Sequence, residues 1–511
     1  MKAPRFLALL PAALAIAGCI TVGPDYKLPQ EAAINAPLAN APLDGVDGAT
    51  ATSAPVPPDW WHLYDDPVLE DLVREALASN TDLRVAAANI GRARAGVSFA
   101  EQQGGLSGGT SASVARAQES AQQFLLTEKV PVVYEGDIGI NVSYELDLFG
   151  KLRRGVEAAR ADSEAVQAAA DVARITVVAD VVRAYVENCS AADELEIAER
   201  SLALQRERVA LTRRLQKAGR GNTPDVTRGE TQAATLTADI PRYEARRRIA
   251  QYRLAMLLAR APSDLPKAVR TCSKVPQIAQ PIPVGDGAAL LRRRPDVREA
   301  ERRLAVSTAR IGVATGALYP SVSIGASAGL TGILEDLGTA STARWGFGPL
   351  ISWTFPINGQ RARVREAEYG ADAALAHFDG IVLNALRETQ SSLAAYAADY
   401  ARADALREAQ KSAAKSADET HRLYVAGRES YLSDLDATRT LTSTNAQLAA
   451  AIGQVAVDQV NLFLALGGGW ENAQAAATSA PATGSTPATG STPSAGATPS
   501  AAVPASGVKV D

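Results

Sequence analysis

Two periodicities alternate along this chain. From Lys151 to Lys217 there is no proline and one glycine, Gly155, and the residues are mostly Ala, Arg, Glu, Leu and Val. This predicts a single helix of about 100 Å at ~1.5 Å per residue. Gly219, Gly221, Asn222 and Pro224 end it. A shorter helix, about Asp225 to Ala261, returns for roughly 55 Å. Another is predicted over Pro295–Gly316, with a start near Gly287. Gln360 to Val425 is again long and proline-free, Gly427 turns it, and about Tyr431 to Leu466 returns. A helix from about Val68 to Gln103 precedes them all. Stacked end to end, 225–261 with 295–316 and 431–466 with 68–103 match the long helices in length. The expectation is two tall antiparallel hairpins, each with one side spliced at mid-height. Helices of this length need lateral partners.

Four segments alternate with period two. Ile138, Ile140, Val142, Tyr144 and Leu146 share one face, against Asp137, Gly139, Asn141, Ser143, Glu145 and Asp147. Val322, Ile324, Ala326, Ala328 and Leu330 face away from Ser321, Ser323, Gly325 and Ser327. Trp345, Phe347, Pro349, Ile351, Trp353 and Phe355 form one face of a third, and 106–119 is a weak fourth. Each has roughly the length of a tilted transmembrane strand. A half-buried soluble sheet is the plainer reading, but export and interfacial aromatics favour lipid on one side and water on the other.

The pattern occurs twice. Arg214-Leu215-Gln216-Lys217-Ala218-Gly219-Arg220 recurs as Arg422-Leu423-Tyr424-Val425-Ala426-Gly427-Arg428, and Ser143–Gly150 recurs loosely as Ser352–Gly359. Asp82-Leu83-Arg84 recurs as Asp296-Val297-Arg298. The offsets all lie near roughly 210 residues, which marks a tandem duplication. The predicted units are 59–285 and 286–470. The first holds a helix, two strands near 106–148, a hairpin over 150–261 and a mid-height crossing over 262–285. The second holds a helix, two strands near 319–357 and a hairpin over 359–466.

The ends differ from this body. Lys2 and Arg5 precede a short apolar run, so 1–18 reads as a signal peptide. It ends in Ile16-Ala17-Gly18-Cys19, where small residues suit the signal peptidase and the Cys19 thiol takes diacylglycerol. Ile20 rather than Asp follows, so nothing retains the lipoprotein at an inner membrane. Acyl chains then give stable anchoring. Residues 19–58 are Pro- and Ala-rich and read as an extended linker. Residues 471–511, an Ala/Pro/Thr/Ser tail, read as disordered.

Losing Lys2 and Arg5 makes the formal charge of −4 more negative by two. A weakly acidic exported chain is a poor nucleic-acid binder. No uninterrupted apolar stretch is long enough for a spanning helix. Any membrane crossing must therefore use a closed barrel, and four strands cannot close one. Copies must pool their strands, and three give a pore wide enough for water. Cys189 and Cys272 lie at similar heights; they either form a bridge or remain two unrelated buried thiols.

These features resemble the TolC-like outer-membrane factors of bacterial efflux systems, specifically the NodT/OprM-type lipoproteins. The residues that carry the resemblance span roughly 20–470. They include Val22-Gly23-Pro24-Asp25-Tyr26 after the cysteine, Trp60-Trp61, Asn80-Thr81-Asp82-Leu83, and Leu290-Leu291-Arg292-Arg293-Arg294-Pro295-Asp296-Val297-Arg298. Tyr319-Pro320, and Gly427 with Tyr431-Leu432 and Leu435-Asp436-Ala437, complete it.

The resemblance implies an α+β membrane protein. Its homotrimer would form a 12-stranded outer-membrane β-barrel, continued by a long periplasmic α-helical barrel with a belt at its middle. It also implies a periplasmic adaptor (membrane fusion) protein and an inner-membrane RND transporter as partners, with outer-membrane lipid around the barrel. The chain would be a passive duct for drugs or other small toxic compounds, gated at the periplasmic tip. Leu432 and Asp436 match gate positions, and Asp434 joins them. Gly219, Asp225, Gly427, Arg428, Glu429 and Tyr431 are the expected tip and adaptor contacts. The plainer reading of Leu432 and Asp436 is a solvated helix face at a turn.

Other chemistry is thin. The arginines at 292–294, 298, 302 and 303 interleave with Asp296, Glu299 and Glu301, a pattern for ion pairs. His62, His377 and His421 show no ligand spacing, and two methionines make no soft-metal relay. No nucleophile elbow, phosphate loop or paired-carboxylate cleft is present. No enzyme activity is expected, and no cofactor beyond N-acyl and S-diacylglycerol on Cys19. A duct for type I polypeptide secretion and a pore-free structural lipoprotein are the competing readings.

Overall fold

The computed structural model describes residues 21–468 apart from 47 and 126. The signal peptide, Cys19 and the 471–511 tail lie outside them. Helices α1 (Pro67–Ser79) and α2 (Thr81–Gln103) lead to strands β1 (Leu106–Ala117) and β2 (Val133–Leu146). Helices α3 (Lys151–Lys217) and α4 (Thr223–Leu257) form the first long hairpin. After a crossing come α5 (Gly287–Arg293), α6 (Pro295–Gly316), β3 (Ser321–Ile333) and β4 (Ala343–Ser352). Helices α7 (Asn358–Val425) and α8 (Tyr431–Ala465) form the second hairpin.

The single helix expected over Val68–Gln103 is two. Asn80 breaks it, with an extended ψ of 137°. Its side-chain oxygen accepts from the Asp82 and Leu83 amides at 2.8 and 3.2 Å, a capping geometry that competes with helix continuation. The same side chain's Nδ2 donates to the Leu257 carbonyl at 2.9 Å, and Ser79 Oγ donates to that of Leu258 at 3.0 Å. One short segment thus satisfies the start of α2 and the end of α4.

Arginine does the corresponding work at the end of α8. Arg294 Nη1 donates to the Ala465 carbonyl at 2.7 Å and Arg293 Nε to that of Leu466 at 3.0 Å. The Arg294 guanidinium also holds Asp296 in the first turn of α6, and Glu388 on α7. So α4 meets α2, and α8 meets α6. The expected stacking of 225–261 on 295–316 and of 431–466 on 68–103 is incorrect. Length matches either partner, and only these capping contacts decide.

The main core lies at these junctions. Trp60 stacks on Phe463 with ring centroids 4.6 Å apart, among Leu69, Val182, Leu254 and Leu290. Residues 21–58 are not a loose linker. Val22 N donates to the Phe149 carbonyl and Ala33 N to Asp379. Ala51–Thr52 pairs in parallel with Ile282–Pro283. Small alanines, Ala32, Ala39 and Ala51, let this strap sink between helices and be buried. Helix α8 is long and apolar enough to span a membrane by length and composition, contrary to expectation. It is mostly buried against α3 and α7, which makes it a core helix here.

The four long strands form one antiparallel meander, β1-β2-β3-β4. The β2–β3 pairing joins the first pair of strands to the second, with Asp137 opposite Thr331 and Tyr144 opposite Ile324. The strands expected to reach 119 and 355 end at Ala117 and Ser352, so Trp353 and Phe355 follow β4.

Candidate functional site

Two turns at the far end of the hairpins are built alike. After α3, Gly219 N bonds to the Gln216 carbonyl and Arg220 N to that of Leu215, at 3.0 and 2.8 Å. After α7, Gly427 N bonds to the Tyr424 carbonyl and Arg428 N to that of Leu423, at 3.0 and 2.9 Å. This double bond pattern needs a left-handed residue, and both glycines supply it, with φ of +73° and +71°. The returning helices are capped in parallel. Asn222 Oδ1 accepts from the Asp225 amide and Ser430 Oγ from that of Ser433.

The structure separates the candidate gate residues. Leu432 is 54% exposed and Asp436 is exposed one turn further along α8, on the same face. Asp434 points the other way and is 1% exposed. It is ion-paired with Arg208 of α3 and lies 3.2 Å from His421 Nδ1 of α7. The expectation of Asp434 at a gate is therefore corrected: it locks three helices of the same chain together. Tyr431, expected as a partner contact, is also buried. It packs on Tyr424 at 5.7 Å and against Gly229. Burial pushes its hydroxyl pKa upward. Gly219, Gly427, Arg428 and Glu429 are exposed at the tip, and Asp225 is half-buried beside Arg228.

Arg208 and Gly229 were not singled out from the sequence, and His421 was weighed only as a metal ligand. His421 and Asp434 lie about two helical turns to either side of Gly427, so counting outward from the turn would have paired them. Arg208 comes from the other hairpin and left no local signal. At mid-height Cys189 and Cys272 form a disulfide, with Cα atoms 5.2 Å apart. Among the described residues no group of three or more His, Cys, Asp or Glu is placed to hold a metal.

The sheet is a second candidate surface. Ile138, Ile140, Trp345, Phe347 and Ile351 are exposed on one face. Aromatics gather at its helix-proximal end: Phe149 stacks on Tyr319 at 4.5 Å, and Trp353 Nε1 donates to the Leu318 carbonyl at 3.1 Å. An apolar band with an aromatic rim is the signature of strands in a bilayer.

The family profile described as outer membrane efflux protein matches residues 72–260 and 288–468. This chain belongs to the outer membrane efflux protein family. It is 31% identical to nodulation protein T of Rhizobium leguminosarum bv. trifolii over 469 residues, 89% of this chain and 96% of that protein. It is 30% identical to the probable efflux pump outer membrane protein TtgC of Pseudomonas putida over 476 residues, 91% and 95% of the two chains. Its fold is similar to that of the outer-membrane channel OprN, with a TM-score of 0.81 at 34% identity, over 88% of this chain and all of that one. The Neisseria gonorrhoeae MtrE channel in its open state gives a TM-score of 0.75 at 26% identity, over 88% of this chain and 98% of that one. As an outer membrane efflux protein, the chain resides in the outer membrane and serves as the channel component of an efflux system.

Proposed function

We propose that three copies pool their sheets into a 12-stranded barrel and their hairpins into one periplasmic tunnel. The observation that carries this is the pair of open edges, β1 and β4, on a sheet with an exposed apolar face. Unpaired edges are not tolerated in lipid, and only closure with further copies removes them. The tandem repeats would then supply equivalent staves around the tunnel, and the strap with the 262–285 crossing would form its belt. Val22 is held at the sheet's base through Phe149, and Cys19, three residues upstream in sequence, would carry the N-acyl and S-diacylglycerol modification.

In this reading Leu432 and Asp436 face the threefold axis. Three leucines close the tip by dewetting, and three carboxylates repel one another or hold cations. Gly219, Asp225, Gly427, Arg428 and Glu429 form the rim that a periplasmic adaptor grips, with an inner-membrane RND transporter behind it. The protein makes and breaks no bond; it passes drugs or other small toxic compounds to the exterior. The test is single-channel conductance in a planar bilayer. Asp436→Ala should open more often or longer than the parent. Silence from both folded proteins would remove the pore.

A further inference from the structure

On the sheet face opposite the apolar band, one ion pair crosses three strands. Arg344 of β4 donates through Nη2 to both Asp137 oxygens on β2, at 2.7 and 2.9 Å. Its Nε donates to Thr331 Oγ1 of β3 at 2.6 Å, and Thr331 in turn donates to Asp137. From the level of Asp137 to that of Ser143, the other positions on this face are Gly or Ser, save Asn141 and Thr331. Glu135 and Glu145 flank that stretch at its two ends. The guanidinium lies flat because position 139 is glycine: a Cβ there would sit 2.9 Å from Arg344 Nη2.

We propose that Asp137 and Arg344 set the charge selectivity of the barrel, an inference that rests on the trimeric pore reading above. Between Glu135 and Glu145, each protomer contributes one fixed charge of each sign to the wall, and the pair cancels both. Gly139 keeps the guanidinium on the wall and out of the bore. The midsection is thereby lined with small side chains and carries no net charge, so solutes of either sign pass it. Removing one partner leaves a ring of three like charges, the arrangement by which pores select ions.

The experiment is reversal-potential measurement across a KCl gradient, in the Asp436→Ala background so that the tip contributes equally throughout. The dilute side is kept near 0.01 M, where screening extends over about 30 Å. Asp137→Asn should move the permeability ratio toward chloride by at least about twofold, and Arg344→Gln toward potassium by a similar factor. The double variant should return to the parent value. Single variants that conduct with the parent's reversal potential would overturn the assignment. Should neither single variant assemble, Ser327→Lys adds an unpaired cation to the same wall without touching the pair. It must produce the chloride preference, and an unchanged potential there overturns the assignment equally. A folded parent that never conducts refutes the pore reading itself.

Discussion

Asp434 concentrates the physics of the tip. A carboxylate that is 1% exposed is tolerable only because Arg208 and His421 reach it. Arg208→Ala should destabilise the protein by about 3–5 kcal/mol, since it strands a buried charge. Replacing Arg208 and Asp434 together with leucine and methionine should recover most of that loss. Denaturant unfolding decides, and equal losses in both variants would refute the account. Asp458 behaves differently. Burial, reinforced by neighbouring Asp399, raises its pKa from 3.8 to about 6. The folded state therefore holds that proton more tightly than the unfolded chain. This contribution is fully present below pH 3.8 and is lost as the pH rises through 6. The Tm advantage of Asp458→Asn over the parent should widen between pH 4 and pH 7. At this scale sequence is a poor guide. Leu432 and Asp436 could be placed together by helical spacing, but Asp434 could not be told from them without knowing which face α3 covers.

Elements were more legible, because their signals are local. The proline-free stretch 151–217 and the Gly219 and Gly427 turns need no tertiary information. The break at Asn80 was legible in principle as a cap motif, Asn80-Thr81-Asp82, but the apolar pattern on both sides concealed it. Close approach is another matter. Gly229 on α4 faces Tyr431 and Val209, where a Cβ would come within 2.5 and 2.9 Å of their atoms. Gly229→Ala should cost on the order of 1–3 kcal/mol, and adding Tyr431→Phe should relieve part of it. Thermal unfolding of the two variants checks this; no relief from the second change would point to some other strain. The disulfide ties α3 to the crossing segment across 83 residues of sequence. Cys189→Ser should lower stability by about 2–4 kcal/mol and abolish the mobility shift on a non-reducing gel.

At the scale of the whole molecule, a single chain leaves much uncovered. Helix α2 has no fully buried residue, and its Val85 and Phe99 are 60% and 65% exposed. The proposed trimer would cover them. Val85→Asp with Phe99→Asp should then yield monomers by light scattering in detergent, with helical circular dichroism retained. A trimer that survives both changes would place the interface elsewhere. Long proline-free helices and strand alternation made the elements readable, whereas the choice of stacking partners was not. Two pairings satisfied the same lengths, and the deciding contacts were an asparagine amide and an arginine.

Those two junctions have a mechanical consequence. Along α3 and α7, covalent backbone and helical hydrogen bonds run unbroken from sheet to tip. Along α4–α2 and α8–α6, the load passes through a handful of side-chain contacts at mid-height. Such a column resists compression but yields to tension and bending, so its lower half can pivot while the upper half stays fixed to the sheet. Under axial pulling in a force spectrometer, the first rupture should occur at Asn80–Leu257 or Arg294–Ala465, before any turn of the long helices unwinds.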